Sequence, residues 1–468
     1  MAILDPAEAA TIAHGAWAEG HPSSPLTTFA IDTRVLEPGQ SFVALKTDRQ
    51  DGHDFLQHAC DNGALCAIVS KPDHSVKLPQ MVVEDPLHSL HSLARNWRQR
   101  FTLPVVGITG SYGKTTVKEL LGTVMGSQWF RTYANLNNTL GVPLTLLELD
   151  SHHDAGAIVE AGINDVGEME LLADLIDPEL AIITAVGPAH LERLGDLEGV
   201  AQEKSFLAKG VRPGGRVILP VSLLQYQAFR EIPDSIQIHA ISVGDEEIPA
   251  GLEELNNVIL YHYNWTEDEK SRGMGHLTTD GSMPLGSFSF MAGSPGMVTN
   301  LALVVHTALY FGVPEGTLQA CLESWRPFLH RGEVFSHNKL RLYVDCYNAN
   351  PGSMLDSVSR FKNLFADHPQ LYVLGSMNEL GKDSMQWHRD TARKLGLPAN
   401  SNIYLLGDGA EWMRQGLQES GLPDDAIHIM DNLDELRRVI HTFTGAVFLK
   451  GSRSYGLESL VPEGAKPC

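Results

Sequence analysis

Apolar positions along this chain fall into two alternating kinds of run. Short, nearly continuous apolar runs end in glycine or small polar residues, and longer amphipathic runs follow them. The first kind predicts buried strands and the second predicts helices. Near the N-terminus, FAIDTR, SFVALK and CAIVS read as strands, and HDFLQHACDNGA reads as a helix ending near Gly63. MAILDPAEAATIAHGAW predicts a helix capped by Asp5, with Pro6 in its first turn. HSLARNWRQRF predicts another helix and leads to Pro104.

A second region opens with the strand PVVGITG and the helix KTTVKELLGTVM. Strands follow at AIVEAG, LAIITAVG and GRVILP, with helical stretches between them. This alternation predicts a parallel, doubly wound sheet. Residues 245–285 are polar and weakly periodic, and read as strands and loops decorating the same unit. VTNLALVVHTALYFG and GTLQACLESW predict helices. From near Arg331 the pattern resumes. LRLYVDCYNANP is a strand running into a turn, and SMLDSVSRFKNLF is a helix. QLYVLGSMNELG, NIYLLGDGAEWMRQGL and AVFLKGSRSYGLESL each repeat a strand whose end carries polar residues. The expected fold class is α/β in three domains. These are a small α/β domain over residues 1–100, a P-loop-type doubly wound domain over 101–328, and a Rossmann-like domain over 329–468.

Composition narrows the function. A chain of 468 residues suits about three cores. Lys plus Arg number 35 against 57 Asp plus Glu, a net charge of −22. That excess disfavours a nucleic-acid binder, which needs a basic face. An acidic chain that handles phosphate must gather its few cations locally. The cysteines are odd in number, at 5, and no CxxC occurs, so neither a disulfide framework nor a thiolate zinc site is expected. A reducing compartment fits that usage. No apolar run is long enough to span a bilayer, and the N-terminus does not read as a signal peptide. A cytoplasmic location is the expectation.

In VVGITGSYGKTT, a strand, a Gly-rich turn and Lys114 at a helix start form a phosphate cradle. Gly110 and Gly113 let backbone N–H groups approach an anion, Lys114 adds charge, and Thr115 offers a hydroxyl to magnesium. The strict GxxxxGK[ST] spacing is not met, because Gly107 lies too far before Gly113. Glu160 and His190 sit at or just past the ends of predicted parallel strands. They therefore belong on the same sheet edge as the loop, where they can complete magnesium or nucleotide binding. Alone, Lys204 reads as a solvated lysine and Arg331 as a surface arginine. Arg331 does follow a domain boundary, from which a mobile cation could reach a γ-phosphate. Asp345, Asn348 and Asn350 cluster at a strand end, equally suited to a structural turn or to function. Lys450 and Arg453 form a basic spot suited to a carboxylate or phosphate.

Together these segments resemble the Mur ligase family nearly end to end. DTR, FVALK and DGHDF resemble its first domain. TGSYGKTTVKE, NLNNTLGVPLTLLEL, EAGIN and VGPAHLERLGDLEGVAQEK resemble its central one. DCYNANPGSM, VLGSMNELG and KGSR resemble its last. YNANP, ELG and KGSR point to the branch that joins D-alanyl-D-alanine to UDP-N-acetylmuramoyl-tripeptide.

The resemblance implies an ATP-dependent, cytoplasmic amide ligase of peptidoglycan synthesis, expected as a monomer, with ATP and Mg2+ as cofactors. It implies that the first domain holds the UDP end of the substrate, near Thr33, Arg34, Lys46, Asp51 and His53. Gly110, Ser111, Gly113, Lys114, Thr115 and Thr116 would hold ATP phosphates. Thr115, Glu160, His190 and a carbamylated Lys204 would hold magnesium. Asn137, Asn138 and Thr139 would lie near substrate and phosphate. Asn300 would face the adenine, and Arg331 would act at the hinge. Asp345, Tyr347, Asn348 and Asn350 would contact nucleotide and the incoming dipeptide, with Lys450 and Arg453 on the same closing face. Lys114, Lys204, His190 and Arg331 are the implied catalytic groups.

Some positions depart from the family pattern. Tyr112 stands where Asn or a small polar residue is usual, and Gly296 and Met297 stand where a His-Asn pair precedes Asn300. His330 replaces a common Gly, Thr47 replaces the Gly of ALKG, and Val344-Asp345 replaces paired aspartates. Such departures are also compatible with a divergent paralogue that joins a different carboxylate and amine.

Overall fold

The computed structural model describes residues 2–47, 50–150, 152–268, 274–279, 287–327 and 330–468. Its strands form three separate sheets, one for each expected region.

The first sheet runs in the order Ala16–Trp17, Gln80–Val82, Cys66–Val69, Ser41–Val43, Phe29–Ala30. FAIDTR is extended only at its start. Asp32 folds back onto Arg34, accepting from its backbone N–H (2.9 Å) and its guanidinium (2.6 Å), and this turn ends the strand. Asp5 caps the helix Pro6–Ile12 as expected. The helix Pro86–Arg98 fastens this unit to the next. Trp97 Nε1 donates to Leu149 O (3.1 Å), and the buried Arg98 guanidinium donates to Ile176 O (2.9 Å) and Asp177 O (2.8 Å).

The central sheet is ordered Phe288–Met291, Met274–Thr279, Val258–Glu267, Gln237–Val243, Arg216–Pro220, Leu180–Ile183, Val105–Thr109, Gly156–Glu160, Trp129–Arg131. From Val258–Glu267 to Trp129–Arg131 every pairing is parallel. The remaining two strands add antiparallel at one edge, so the sheet is mixed rather than wholly parallel. Within 245–285, Val258–Glu267 is an integral strand of this sheet. Residues 269–273 and 280–285 of that stretch lie outside the described residues. Helices cover both faces. The most apolar of them, Pro295–Tyr310, buries Leu301 to Val305 without a break, which matches its continuous apolar sequence.

The third sheet is ordered Ile427–Met430, Asn402–Leu406, Gln370–Gly375, Gly445–Lys450, Leu340–Val344, Glu333–His337, Lys466–Pro467. Its first five strands pair in parallel, and the last two add antiparallel. Asn350 caps the helix Pro351–Leu364 in a capping box with Ser353, and Pro351 occupies the first turn. All five cysteines are free. Among the described residues, no helix is long and apolar enough to cross a membrane.

Candidate active site

The sheet register delivers the chemistry to one edge. Ile108 lies beside Glu160 on one side and beside Ile182 on the other. The three strands therefore end level, and their following loops meet. Two glycines are required in the first loop. At Gly110 (φ 151°) a Cβ would fall 2.0 Å from Thr184 Oγ1, and at Gly113 (φ 85°) 2.8 Å from Asn300 Oδ1. Lys114, the first residue of the helix Lys114–Met125, donates to Gly110 O (2.6 Å) across the mouth of the loop. Ser111 Oγ is tied to Gly187, donating to its O and accepting from its N–H at 2.9 Å each.

Glu160 is the buried carboxylate of the site. Its Oε1 accepts from Thr115 Oγ1 (3.0 Å) and Asn137 Nδ2 (2.8 Å), and its Oε2 has no hydrogen-bond partner. Burial alone would raise its pKa. Lys118, Lys114 and Arg331 outweigh burial and hold it ionised, below the ordinary glutamate value. Lys118 is fully buried. Its Nζ donates to Thr132 O (2.9 Å) and Ala134 O (3.0 Å), and lies 3.4 Å from Glu160 Oε2. The sequence reading missed this lysine. Its spacing of one helical turn from Lys114 was the available signal.

These groups line one cleft of about 400 Å3 between the central and C-terminal sheets. Ser111, Gly113, Lys114, Thr115, Thr116, Asn137, Asn138, Glu160, His190, Asn300, Arg331, Asp345, Tyr347, Asn348, Asn350 and Lys450 all reach it. Its polar lining is incompletely paired. Besides Glu160 Oε2, the buried Nε atoms of Arg331 and Arg360 have no partner. Arg331 lies over the Tyr347 ring at 4.0 Å, with Arg453 5.7 Å from the same ring. Burial lowers the pKa of Lys114, and Arg331 pushes the same way against Glu160.

Several expected groups are engaged within the protein. Lys450 is buried and donates to Asp345 Oδ2 (2.7 Å) and Asn348 O (3.2 Å), because a buried ammonium needs close acceptors. Asp345 also accepts from Ser357 Oγ. Asn350 Oδ1 caps its own helix (2.9 Å), while Nδ2 donates to Ser111 O (3.2 Å). Asn138 Oδ1 accepts from the Gly141 N–H (2.9 Å) at the start of the next helix. His190 has φ 57°, and its Nδ1 lies 2.6 Å from Glu379 Oε2 of the C-terminal unit. Glu379 and the cleft residues Asp356 and Arg360 were not singled out from sequence.

Other expected groups do not line the cleft. Lys204 is buried behind it, and burial pushes its amine well below the usual lysine value, with Lys114 adding to the shift. Thr139 O meets His91 Nε2 (2.7 Å), and Arg453 is exposed and pairs with Glu458 (3.0 Å). Thr33, Arg34, Lys46, Asp51 and His53 form a separate group on the first sheet. There, Asp51 joins His53 Nδ1 (2.6 Å) and Lys46 (3.9 Å), and Thr33 Oγ1 meets His58 Nδ1 (2.8 Å).

Two family models match: the Mur ligase middle domain over residues 108–264, and the Mur ligase, glutamate ligase domain over 330–453. The UDP-N-acetylmuramoyl-tripeptide–D-alanyl-D-alanine ligase of Synechocystis sp. is 33% identical over 394 residues, 82% of this chain and 80% of that protein. The chain belongs to the Mur ligase family. The ligase of the same description from Escherichia coli (strain K12) is 29% identical over 93% of each chain. A crystal structure of MurF from Acinetobacter baumannii superposes with a TM-score of 0.83, at 27% identity and 98% coverage of both chains. As a Mur ligase, the protein is an ATP-dependent amide ligase of peptidoglycan synthesis.

Proposed function

We propose that this Mur ligase adds D-alanyl-D-alanine to UDP-N-acetylmuramoyl-tripeptide through an acyl phosphate, in the cytoplasm. Relatives that carry this description and span nearly the whole chain support the choice of substrates. The observation that carries the chemistry is the convergence of Lys114, Glu160 and Arg331 in one cleft with unpartnered polar atoms. Residues 1–100 would hold the UDP end, 101–328 the ATP, and 329–468 would close over both.

A carboxylate is a poor electrophile because its oxygen leaves poorly. In the first step a tripeptide carboxylate oxygen bonds to the γ-phosphorus of ATP, and ADP leaves. In the second the amine nitrogen bonds to the acyl carbon, and phosphate departs with that oxygen. Lys114 and Arg331 offset the charge on the transferring phosphoryl group. Asn137 and Asn138 orient the carboxylate, and Tyr347 seats Arg331. Holding the reactants together supplies much of the rate. Closure of the cleft would keep water from the acyl phosphate.

The residues present fit magnesium. Among the described residues no trio of His, Cys, Asp or Glu forms a metal cage. Magnesium needs none, because it binds through one or two carboxylates with substrate phosphates and water. Glu160 and Thr115 would hold it, with His190 and a carbamylated Lys204 in support, and it would neutralise phosphate charge. Lys204 suits carbamylation because the uncharged amine is the form that attacks carbon dioxide.

Phosphate release that requires ATP, magnesium, the tripeptide nucleotide and D-Ala-D-Ala together is the expected result. No release with all four present would reject this reading. Turnover with another amine, and none with D-Ala-D-Ala, would establish a paralogue instead.

A further inference from the structure

In the C-terminal sheet the strand Gln370–Gly375 lies between Asn402–Leu406 and Gly445–Lys450, and all three end level. The loop that follows Gln370–Gly375 is held from three directions. Ser376 N–H donates to Leu406 O (2.9 Å), at the end of one neighbouring strand. Asn378 N–H donates to Ser452 Oγ (2.9 Å), in the loop after the other. Between them, the Met377 N–H donates to Nε2 of His388 (2.9 Å), on the helix Ser384–Lys394. His388 is buried, and its Nδ1 donates to Ser384 O (2.7 Å). A carbonyl can only accept, so Nδ1 carries the ring proton, and Nε2 is left as the acceptor that Met377 needs. Burial lowers the pKa of the ring and favours this neutral form. Gly409 makes room for the ring. A Cβ there would lie 2.4 Å from Nε2, although its φ of −86° suits any residue. Beyond these anchors the loop turns outward. Asn378 and Glu379 are exposed, and Glu379 (φ 64°) reaches His190 at the cleft.

We infer that His388 is a positioning residue for the amine half of the reaction: through Met377 it fixes the direction in which Asn378 and Glu379 leave the sheet. This rests on the proposed reaction, whose amine is expected at residues of the C-terminal unit. Ligands of open α/β sheets bind outside the carboxyl ends of the strands. There the loop presents an amide and a carboxylate, which suit a substrate that carries an ammonium. A loop whose successive amides are already held loses little freedom when that substrate arrives, and the cost of ordering is what a preformed site avoids. His388 is buried under the loop and does not face the substrate, so its effect passes through the backbone of Met377.

Two substitutions separate the two bonds of the ring. His388→Gln extends an amide oxygen to the place of Nε2 and keeps an acceptor for Met377. His388→Asn reaches only the place of Nδ1 and leaves the Met377 N–H without one. Amide hydrogen exchange is followed on the full ligand-free chain, and steady-state rates are measured with the amine and ATP varied in turn. His388→Asn should speed exchange in the segment 376–380 and raise KM for the amine about tenfold, the equivalent of one buried hydrogen bond left unmade. KM for ATP should hold. His388→Gln should stay within about threefold of the wild type in both measurements. Ser452→Ala removes the neighbouring anchor by a smaller truncation and should raise the same KM, so the test does not depend on the folding of one variant. Equal losses in both His388 variants, or unchanged exchange in His388→Asn, would overturn the inference. So would a loss shared alike by amine and ATP, which marks general destabilisation. Exchange needs no turnover, and the kinetics can be run with whichever amine the chain joins, so failure here and failure of the proposed reaction are read separately.

Discussion

Lys118 Nζ lies 3.4 Å from Glu160 Oε2, buried one helical turn beyond Lys114. The same ammonium holds two carbonyls of the segment that leads into Asn135, Asn137 and Asn138. It thus fixes the carboxylate and the asparagine loop relative to the phosphate helix. Lys118→Met should cost about 3 kcal/mol or more, because an ionised glutamate is left buried without its nearest cation. Adding Glu160→Gln to that variant should restore part of the loss. Thermal melts of the two single variants and the double variant measure the coupling, and strict additivity would contradict the pairing.

Lys204 is a buried amine whose pKa is pushed well below the usual lysine value, through burial first and Lys114 second. Carbamylation should therefore be reversible with bicarbonate. Lys204→Ala should lose activity and regain part of it with a short carboxylate such as acetate or propionate. No rescue across a concentration series, with the fold intact by circular dichroism, would count against a carboxylate role.

Arg331 rests on the Tyr347 face at 4.0 Å. The ring holds a guanidinium by charge–quadrupole attraction, worth about 1 kcal/mol. Tyr347→Leu should lower kcat several-fold, roughly the rate equivalent of that energy, while Tyr347→Phe should stay near wild type. Equal losses in both would move the role from the ring to the hydroxyl.

His239 and His306 form a buried chain under the central sheet. His239 Nδ1 and His306 Nε2 are 2.7 Å apart, with Gln237 and Tyr263 at the two ends. One proton arrangement satisfies every member with both rings neutral. Burial pushes both pKa values below the ordinary 6.5, His239 to about 4. The unfolded chain therefore binds more protons than the folded one in this range, and stability falls as pH drops below about 6.5 toward about 4. Melting temperature followed between about pH 7 and about pH 5 should decline, and His306→Gln should flatten that slope. A slope unchanged by the substitution would place its cause elsewhere.

The loop at 107–116 shows how far sequence reaches. Alternating apolar runs predicted its strand and its helix, and glycine spacing with Lys114 predicted the phosphate cradle. These are local properties, set by side-chain periodicity and by where a backbone must turn. The same reasoning placed Glu160 at a strand end, because parallel strands of one sheet share an edge. It treated Lys204 as a solvated lysine when taken alone, since no local pattern reports burial. It overlooked Lys118, Asp356, Arg360 and Glu379, whose partners lie in distant segments or on the far side of a helix. Lys450 and Asn350, expected at ligands, do line the cleft, and only packing showed that they also join Asp345 and Ser111. The departures at Tyr112 and Gly296 had no reason in the sequence. The sequence determined the main elements, the sheet edge shared by the phosphate loop and Glu160, and the family. Only the tertiary structure decided which polar atoms remain unpartnered and which glycines make room for a distant side chain, because both depend on burial and on contacts between residues far apart in the chain.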